Sequence, residues 1–366
     1  MAGSSRLIEV RDLRVHFPIR RGFLGRRAGV LRAVDGISFE VGRAEALGLV
    51  GESGCGKTTA ARAALRLVPA TAGSVRYFPP EPDARLSRVL GDPSHPAHAR
   101  DGEGGPGVEV LRAPAREMRA LRRHLQIVFQ DPYGSLNPRM TAGAILAEPL
   151  RVHRLARGAA LDAEVARLLE RVGLHPEMAG RYPHEFSGGQ RQRIGIARAL
   201  SLRPSFVVLD EPVSALDVSV QAQILALLAE LQAVDGLAYL VIAHDRALVR
   251  RLCPRVAVMY LGEIVESGPT DRVFTEPLHP YTKALLSAVP IPDPTRRRTR
   301  ILLSGEPPSP ANPPSGCRFH PRCPVAEARC RTEVPFLGTA ADGRLVACHL
   351  VERRPGARGA TSGEGE

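Results

Sequence analysis

The glycine-rich segment GESGCGKT, at residues 51–58, constrains the fold of this chain more than any other feature. It follows the short apolar run EALGLV and precedes AARAALRLV, whose alanine and leucine content is typical of a helix. Glycines allow the backbone N–H groups of such a loop to surround phosphate oxygens, and the N-terminus of the following helix adds positive potential. The sequence therefore predicts a strand, a phosphate-binding loop and a helix of an α/β fold. The residues expected to hold the phosphates are Gly51, Ser53, Gly54, Cys55, Gly56, Lys57, Thr58 and Thr59.

Lys57 and Thr58 give this loop its expected chemistry. Only Lys57 and Lys283 are lysines among the 50 basic residues, so an ammonium at position 57 departs from the usage of the chain. A compact ammonium on a flexible stem fits between β- and γ-phosphates, whereas a planar guanidinium does not. We expect the Thr58 hydroxyl to bind Mg²⁺ beside these phosphates. The loop by itself predicts the binding of a nucleoside triphosphate but not its cleavage.

A pair of acidic residues has the chemistry that cleavage requires. Asp210 and Glu211 follow the apolar run SFVVL, which predicts a buried strand. We expect Asp210 at the carboxyl end of that strand beside Mg²⁺, and Glu211 next to the γ-phosphate as the general base for water. A further apolar run, LAYLVIAHD at 237–245, follows a helical stretch. This alternation of strands and helices predicts a parallel sheet.

Outside these motifs, composition and periodicity predict which segments of the chain are flexible and which are helical. Residues 79–116 contain twelve glycines or prolines and neither Phe nor Tyr, so we predict a flexible surface insertion that buries too little apolar surface to become ordered. Residues 131–190 have helical periodicity, with one helix ending at Gly173. No apolar run is long enough for a membrane-spanning helix, and the first residues lack a secretion signal, which favours a cytosolic location. The net charge of +12 permits attraction to nucleic acid or anionic lipid without indicating either.

Residues 186–200, FSGGQRQRIGIARAL, resemble the signature of the ATP-binding-cassette (ABC) ATPases. Gln130 in IVFQDP, SALD at 214–217 and His244 in IAHD complete the loops expected of that family, in the expected order. Phe186 stands where many members have leucine, which is a conservative apolar change. The resemblance implies a head-to-tail dimer with two ATP molecules at the interface, each held by the phosphate loop of one subunit and the signature of the other.

The resemblance also implies roles for individual residues. Ser187 would contact the γ-phosphate of the partner's ATP, a role that a hydroxyl and N–H groups ahead of a helix can fill. A simple serine helix cap is the alternative interpretation. An aromatic residue of the first strand would stack on adenine, and we favour Phe17 over Phe23, although Phe17 could also be a core residue. The remaining implied contacts are those of Gln130 with Mg²⁺ and the attacking water, His244 with the γ-phosphate, Asp217 across the dimer, and Gly188, Gly189 and Gln190 with the partner's ATP.

Longer matches narrow the resemblance within the family. NPRMT, RYPHEFSGGQ, DEPVSALDVSVQAQ, LHPYTKALLSAVPIPDP and GEPPSPANPPSGCRFHPRCP together look like the ATPases of oligopeptide and dipeptide importers. The fold implied is an ABC-type phosphate-loop NTPase domain over 1–289, with a mixed or parallel sheet core covered by helices and an antiparallel β subdomain. The signature would lie in a helical subdomain at about 131–190. Residues 290–366 would form a Pro- and Cys-rich extension of the oligopeptide-transporter type.

The same resemblance implies a subunit that hydrolyses ATP to ADP and phosphate and thereby drives peptide uptake. Its partners would be a second ABC ATPase subunit in a heterodimer, two membrane permease subunits and an extracytoplasmic peptide-binding protein. The chain would be peripheral to the cytoplasmic face of the inner membrane, with the segment around Arg139 receiving a permease helix. Related importers that carry nickel or another small solute stay open as an alternative. A soluble cassette ATPase acting on nucleic acid or ribosomes is supported only by the basic charge, so nucleic acid is not an expected partner. Glu211 opposes a regulatory module without turnover.

Four cysteines crowd into the extension, at Cys317, Cys323, Cys330 and Cys348. Their spacing contains no CxxC pair, so spacing alone does not choose between iron–sulfur, zinc and free thiols. The resemblance implies a [4Fe–4S] cluster, because some peptide-importer ATPases hold one in a tail of this pattern. A structural zinc site in which His320 or His349 replaces a cysteine is the alternative.

Overall fold

The computed structural model describes residues 6–21, 26–80, 107–214, 216–287, 301, 303 and 305–352. The strands are β1 (Arg6–Arg21), β2 (Arg26–Gly42), β3 (Ala46–Val50), β4 (Ala72–Tyr77), β5 (Val108–Glu109), β6 (Leu125–Val128), β7 (Phe206–Asp210), β8 (Ala238–Ile242), β9 (Arg255–Tyr260), β10 (Glu263–Pro269), β11 (Gly338–Thr339) and β12 (Leu345–Val346). The α-helices are α1 (Lys57–Ala64), α2 (Ala115–Leu121), α3 (Ala142–Val152), α4 (Ala159–Arg171), α5 (Gly188–Leu200), α6 (Val218–Asp235), α7 (Arg246–Leu252), α8 (Thr270–Thr275) and α9 (Pro280–Ser287). Among these helices, none combines the length and the apolar character needed to cross a membrane.

The larger sheet has eight strands in the order β11-β12-β10-β9-β3-β8-β7-β6. Its centre is parallel, since β3 pairs with β8 and β9, and β7 pairs with β8 and β6. All residues of β3, β7 and β8 are buried, as strands with helices on both faces require. The remaining pairs, at the β10 end, are antiparallel. The predicted α/β fold with a largely parallel core is confirmed.

A second sheet of four antiparallel strands, in the order β2-β1-β4-β5, lies on the other side of α1. Leu13 of β1, Val34 of β2 and Ala61 of α1 belong to one apolar cluster that also contains Leu49 of β3. The helix after the phosphate loop is therefore packed between the two sheets, which fixes the loop itself relative to the strand ends.

The helical part of the chain comprises α3, α4 and α5, whose apolar faces pack into the second large core cluster. Thr141 caps α3, because its hydroxyl accepts a hydrogen bond from the Ala144 N–H at 3.2 Å. The helix α4 ends at Arg171, and Gly173 follows with a φ of 72°, a conformation that glycine adopts without strain. The helix predicted to end at this glycine is therefore present.

The expected surface insertion differs from the structure at its carboxyl end. Residues 107–116 are structured, because β5 pairs with β4 and both Val108 and Val110 are buried. These two valines supply the apolar surface that the composition of the whole segment did not suggest. Residues 81–106, which make up most of the predicted insertion, lie outside the described residues.

The extension packs on the edge of the larger sheet through short elements. Its strand β12 pairs with β10, with Val346 opposite Glu266. Phe319, only 1% exposed, contacts Tyr260 and Tyr281 at ring-centroid distances of 5.3 and 5.5 Å. Aromatic pairs in these arrangements contribute beyond the apolar area they bury. The described part of the extension is thus attached to the strands next to the phosphate loop.

Candidate active site

The phosphate loop lies between the carboxyl end of β3 and the first turn of α1. Gly56 has a φ of 105°, and a Cβ atom there would come within 2.0 Å of the Ala33 carbonyl oxygen, so only glycine fits. Lys57 is 5% exposed, and its Nζ donates to the carbonyl oxygens of Gly51 and Glu52, both at 2.9 Å. The Lys57 ammonium is therefore held against the loop that the sequence predicts to bind phosphates.

Thr58 and Asp210 meet beside the loop although 152 positions separate them. The Thr58 hydroxyl donates to Asp210 Oδ1 at 2.8 Å, and Asp210, the last residue of β7, is fully buried. The other carboxylate oxygen, Oδ2, pairs with Arg62 Nη2 at 3.2 Å, which balances the buried negative charge. A hydroxyl and a carboxylate oxygen are the ligands that Mg²⁺ prefers, so the pair fits the predicted metal site.

Glu211 is the centre of a second cluster. Its Oε2 accepts from Gln130 Nε2 at 2.7 Å, and its Oε1 lies 2.5 Å from His244 Nε2. Glu211 has a left-handed backbone with a φ of 48°, a strained conformation for a residue other than glycine that is common at functional sites.

The three members of this cluster follow three neighbouring parallel strands. Gln130 comes two residues after β6, Glu211 directly after β7, and His244 two residues after β8. The carboxyl ends of adjacent parallel strands lie at one edge of a sheet, which is where α/β proteins bind ligands. The sheet therefore brings the candidate base Glu211, together with Gln130 and His244, to the same edge as the phosphate loop.

The signature residues lie at the start of α5. Ser187 caps the helix, accepting from the Gln190 N–H at 3.3 Å, while the Gln190 side chain accepts from the Ser187 N–H at 3.0 Å. Gly189 packs against α6, since a Cβ there would lie 2.4 Å from Val220 Cγ1. Asp217 directly precedes α6. Gly188 faces the side chain of Leu216, which lies next to Asp217 in the loop before α6. Among the residues described here, no hydrogen bond or ion pair joins Ser187–Gln190 to the phosphate loop or to Glu211.

Phe17 does not lie in the core. It belongs to β1, pairs with Leu31 of β2 and is 37% exposed, so the interpretation of Phe17 as a buried core aromatic is wrong. An exposed ring on this strand suits stacking on a flat ligand. The other candidate, Phe23, lies outside the described residues.

The four cysteines of the extension line one small cavity of about 10 Å³, enough for the centre of about one water molecule. All four are free thiols, and burial raises the pKa of Cys317 to about 11. The His320 Nδ1 atom contacts the Cys317 carbonyl oxygen at 3.0 Å, and His349 Nε2 contacts the Glu333 carbonyl oxygen at 3.1 Å. Within the described ranges, no three His, Cys, Asp or Glu side chains have the arrangement of metal ligands. Thiols are suitable donors for a metal group, but neither the size of the cavity nor the arrangement of the four side chains is that of a formed metal site.

Three side chains of this region were not identified from the sequence. Arg62 pairs with Asp210, Tyr281 accepts a hydrogen bond from the Glu52 N–H at 2.9 Å, and Arg322 pairs with the Glu52 carboxylate at 3.0 Å. A sequence signal exists only for Arg62, which lies four residues after Thr58 and therefore on the same face of α1.

Comparison with known families identifies two matching regions. A family model described as "ABC transporter" matches residues 34–214. A second, described as "Oligopeptide/dipeptide transporter, C-terminal region", matches residues 265–330, which include three of the four cysteines of the extension.

Curated relatives match almost the whole chain. The chain is 50% identical over 347 residues to the "Probable peptide ABC transporter ATP-binding protein y4tS" of Sinorhizobium fredii, covering 95% of this chain and 90% of the relative. It is 48% identical over 354 residues to the "Oligopeptide transport ATP-binding protein AppF" of Bacillus subtilis, covering 95% and 98%. Among solved structures, the ATP-binding cassette MJ0796 bound to ADP and Pi matches with a TM-score of 0.57 and 23% identity, over 72% of this chain and 99% of that one, which shows the shared fold.

Proposed function

The chain belongs to the ABC transporter ATP-binding proteins, and from that premise we propose that it is the ATP-hydrolysing subunit of an importer of oligopeptides or dipeptides. The observation that carries hydrolysis is the placement of Glu211 beside the Thr58–Asp210 contact, with a hydrogen bond from Gln130 on one carboxylate oxygen and His244 Nε2 next to the other. Peptide cargo is supported by the names of the two relatives and by the match of residues 265–330.

The reaction is the attack of water on the γ-phosphorus of ATP. A bond forms between the water oxygen and phosphorus, the bond from phosphorus to the β–γ bridging oxygen breaks, and the water proton passes to Glu211 as general base. Lys57 and the N–H groups of residues 51–59 hold the phosphates. Thr58, Asp210 and Gln130 would hold Mg²⁺, which would neutralise the charge that develops on the phosphates. Gln130 orients the water, and His244 turns from Glu211 towards the γ-phosphate. Phe17 stacks on adenine.

A second ABC ATPase subunit completes the site. Ser187, Gly188, Gly189 and Gln190 contact the γ-phosphate of the ATP held by that partner, and Asp217 communicates across the interface. Ser187 and Gly188 are exposed at the N-terminus of α5, which leaves their hydroxyl and N–H groups accessible to another chain. The partners on the membrane side are two permease subunits and an extracytoplasmic peptide-binding protein, so the subunit is peripheral to the cytoplasmic face of the inner membrane.

We further propose that Cys317, Cys323, Cys330 and Cys348, which line one cavity, would hold a [4Fe–4S] cluster. Four thiolates are the usual ligand set of such a cluster. The cavity of about 10 Å³ would have to enlarge when the group binds. The thiols would also have to lose their protons, since burial holds the pKa of Cys317 at about 11. Its role is structural. Zinc, with His320 or His349 as a ligand, is the competing assignment.

The decisive experiment is purification of the assembled complex from the native membrane in the presence of ATP and vanadate. The expected result is co-purification of two permease chains and a second cassette ATPase, with iron and sulfide in equal amounts and little zinc. Reconstitution of that complex into vesicles should give ATP-dependent uptake of a labelled oligopeptide.

Other results would contradict separate parts of the proposal. Uptake of nickel but not of peptide would overturn the cargo. Zinc without sulfide would overturn the cluster and leave the transport assignment. Recovery of ribosomes or nucleic acid without a permease would overturn transport.

A further inference from the structure

Glu52, the second residue of the phosphate loop, is held at three points. Its N–H donates to the Tyr281 hydroxyl at 2.9 Å, and its carbonyl oxygen accepts from Lys57 Nζ at 2.9 Å. Its carboxylate faces Arg322 across two contacts, Nη1 to Oε2 at 3.0 Å and Nη2 to Oε1 at 3.4 Å. The position of Glu52 is thereby linked to the ammonium that is proposed to hold the β- and γ-phosphates.

Arg322 reaches the loop from the extension, 270 positions along the chain. It ends the short 3₁₀ helix His320–Arg322 and is only 8% exposed. Phe319, buried against Tyr260 and Tyr281, anchors the same turn, so the guanidinium has little freedom to move away. A two-point contact between a guanidinium and a carboxylate fixes orientation as well as distance, unlike a single-point contact.

A second arginine of the extension holds the neighbouring strands. Arg318 pairs with the Asp35 carboxylate and donates to the Leu261 carbonyl oxygen. Asp35 also contacts His16 Nε2 at 2.8 Å, next to Phe17 on β1. The extension thus contacts both the strands that carry the proposed adenine side of the site and the loop on its phosphate side.

We propose that Arg322 is a positioning residue of the phosphate loop, which acts through Glu52 to keep the loop and Lys57 arranged for ATP. Arg322 does not touch the reacting atoms. Without it, Glu52 loses one of three restraints, and the loop adopts arrangements that do not bind phosphate. Apparent affinity falls in proportion to the fraction of competent loops, whereas the rate of the chemical step in bound ATP depends on Glu211 and stays the same.

This proposal rests on the ATP hydrolysis in the proposed function and not on its cargo. It predicts a rise in the KM for ATP of about tenfold, which corresponds to about 1.4 kcal/mol, with kcat changed less than about twofold. A purely structural role of Arg322 in the extension would instead lower kcat through loss of folded protein and leave KM unchanged.

The experiment compares full-length variants in the assembled complex. Arg322→Ala and Glu52→Ala each remove one partner of the ion pair, and the double variant completes a double-mutant cycle. Arg322→Lys keeps the positive charge but cannot make the two-point contact with the carboxylate. Arg331→Ala is the matched control, an exposed arginine of the same extension. Steady-state kcat and KM, equilibrium binding of ATP and the melting temperature are measured for each.

We expect an equal rise in KM in Arg322→Ala and Glu52→Ala, and no further rise when the two are combined. Arg322→Lys should have an intermediate KM. The KM of Arg331→Ala should equal that of the wild type. Additive effects, or a KM effect of Arg322→Ala that Glu52→Ala lacks, would overturn the proposal. If Arg322→Ala does not fold, Glu52→Ala and Arg322→Lys decide by the same criterion. A wild-type complex that binds ATP without hydrolysing it would refute the proposed function, and the binding titration would still test Arg322.

Discussion

At the scale of single residues, Glu211 and Lys57 have different contacts, which indicates different roles in the reaction. The Glu211 carboxylate accepts a hydrogen bond from Gln130 and lies next to His244, whereas the hydrogen bonds of Lys57 Nζ within the described residues go to the phosphate loop. A base acts on water and an ammonium acts on phosphate. The two residues are therefore separable by kinetics.

We expect Glu211→Gln to bind ATP with nearly normal affinity and to lose turnover by roughly 10² to 10⁴-fold, because glutamine keeps the shape but cannot accept the water proton. Lys57→Ala should weaken ATP binding itself, because the charge that faces the phosphates is lost. Equilibrium titration with ATP and single-turnover hydrolysis measure the two effects separately. Equal residual hydrolysis and equal affinity in the two variants would contradict this division of roles.

His279 is a buried neutral imidazole whose protonation opposes folding. It is 1% exposed, its Nδ1 accepts from the Tyr281 N–H at 3.0 Å, and burial lowers its pKa from 6.5 to about 4. The unfolded imidazole takes up a proton below pH 6.5, but the folded one does so only near pH 4. Acid in this window therefore favours the unfolded chain, and stability rises with pH between the two values.

From this shift we expect the wild-type chain to lose about 2 kcal/mol of stability from His279 between pH 7 and pH 5. His279→Asn keeps an acceptor near the position of Nδ1 but does not titrate, so its unfolding midpoint in urea should fall less over the same interval. His184→Asn, at an exposed position, is the control. The same pH dependence in wild type and His279→Asn would refute the role of this imidazole.

At the scale of elements, the start of α5 depends on close packing against α6. A Cβ at Gly189 would lie 2.4 Å from Val220 Cγ1, whereas a Cβ at Gly195, six residues later in α5, meets nothing within 4 Å. One helix thus contains a glycine required by contact and another that is not. Replacing each of the two glycines by alanine therefore distinguishes the effect of helix–helix packing from that of helix propensity.

We expect Gly189→Ala to lower stability by about 1 to 3 kcal/mol, because the added methyl group forces α5 and α6 apart. Gly195→Ala should raise stability by about 0.4 to 1 kcal/mol, because alanine restricts the unfolded chain. Thermal unfolding of both variants measures these changes. Adding Val220→Ala to Gly189→Ala should recover most of the loss, and a failure to recover would mean that the contact is not its cause.

At the scale of the whole molecule, the segment after Gln130 forms a surface distinct from the active site. Arg139 is exposed, and its N–H donates to Asn137 Oδ1 at 3.0 Å, which stabilises the turn that presents it. Tyr133 is 64% exposed and lies 3.9 Å from the Arg191 guanidinium. An exposed aromatic and cationic surface that joins Gln130 to the helical part suits contact with a permease.

We expect Arg139→Glu to abolish most peptide uptake by the reconstituted complex while ATP hydrolysis is retained, because the reversed charge disrupts docking without touching the nucleotide site. Arg251→Glu, which reverses an exposed charge on α7, should leave both activities unchanged. Uptake and hydrolysis are measured in the same vesicles. Normal uptake by Arg139→Glu would contradict docking at this segment.

The sequence by itself determined what depends on local chemistry. The glycine spacing of GESGCGKT specifies a turn that only glycine adopts at Gly56, and the apolar runs ahead of Gly51 and Asp210 specify buried parallel strands. The ending of α4 before Gly173 is equally local. These features were predictable because the relevant interactions act within a few residues of the chain.

The tertiary structure alone decided which distant side chains meet. The strand order β9-β3-β8-β7-β6 is not the chain order, so the contacts of Glu211 with Gln130 and His244 follow from the sheet and not from spacing. The burial of Val108 depends on its pairing partner in β4, which overrides a glycine- and proline-rich composition. The contact of Arg322 with Glu52 has no local signal, because it joins the phosphate loop to a segment 270 positions away whose place is fixed only by packing on the sheet.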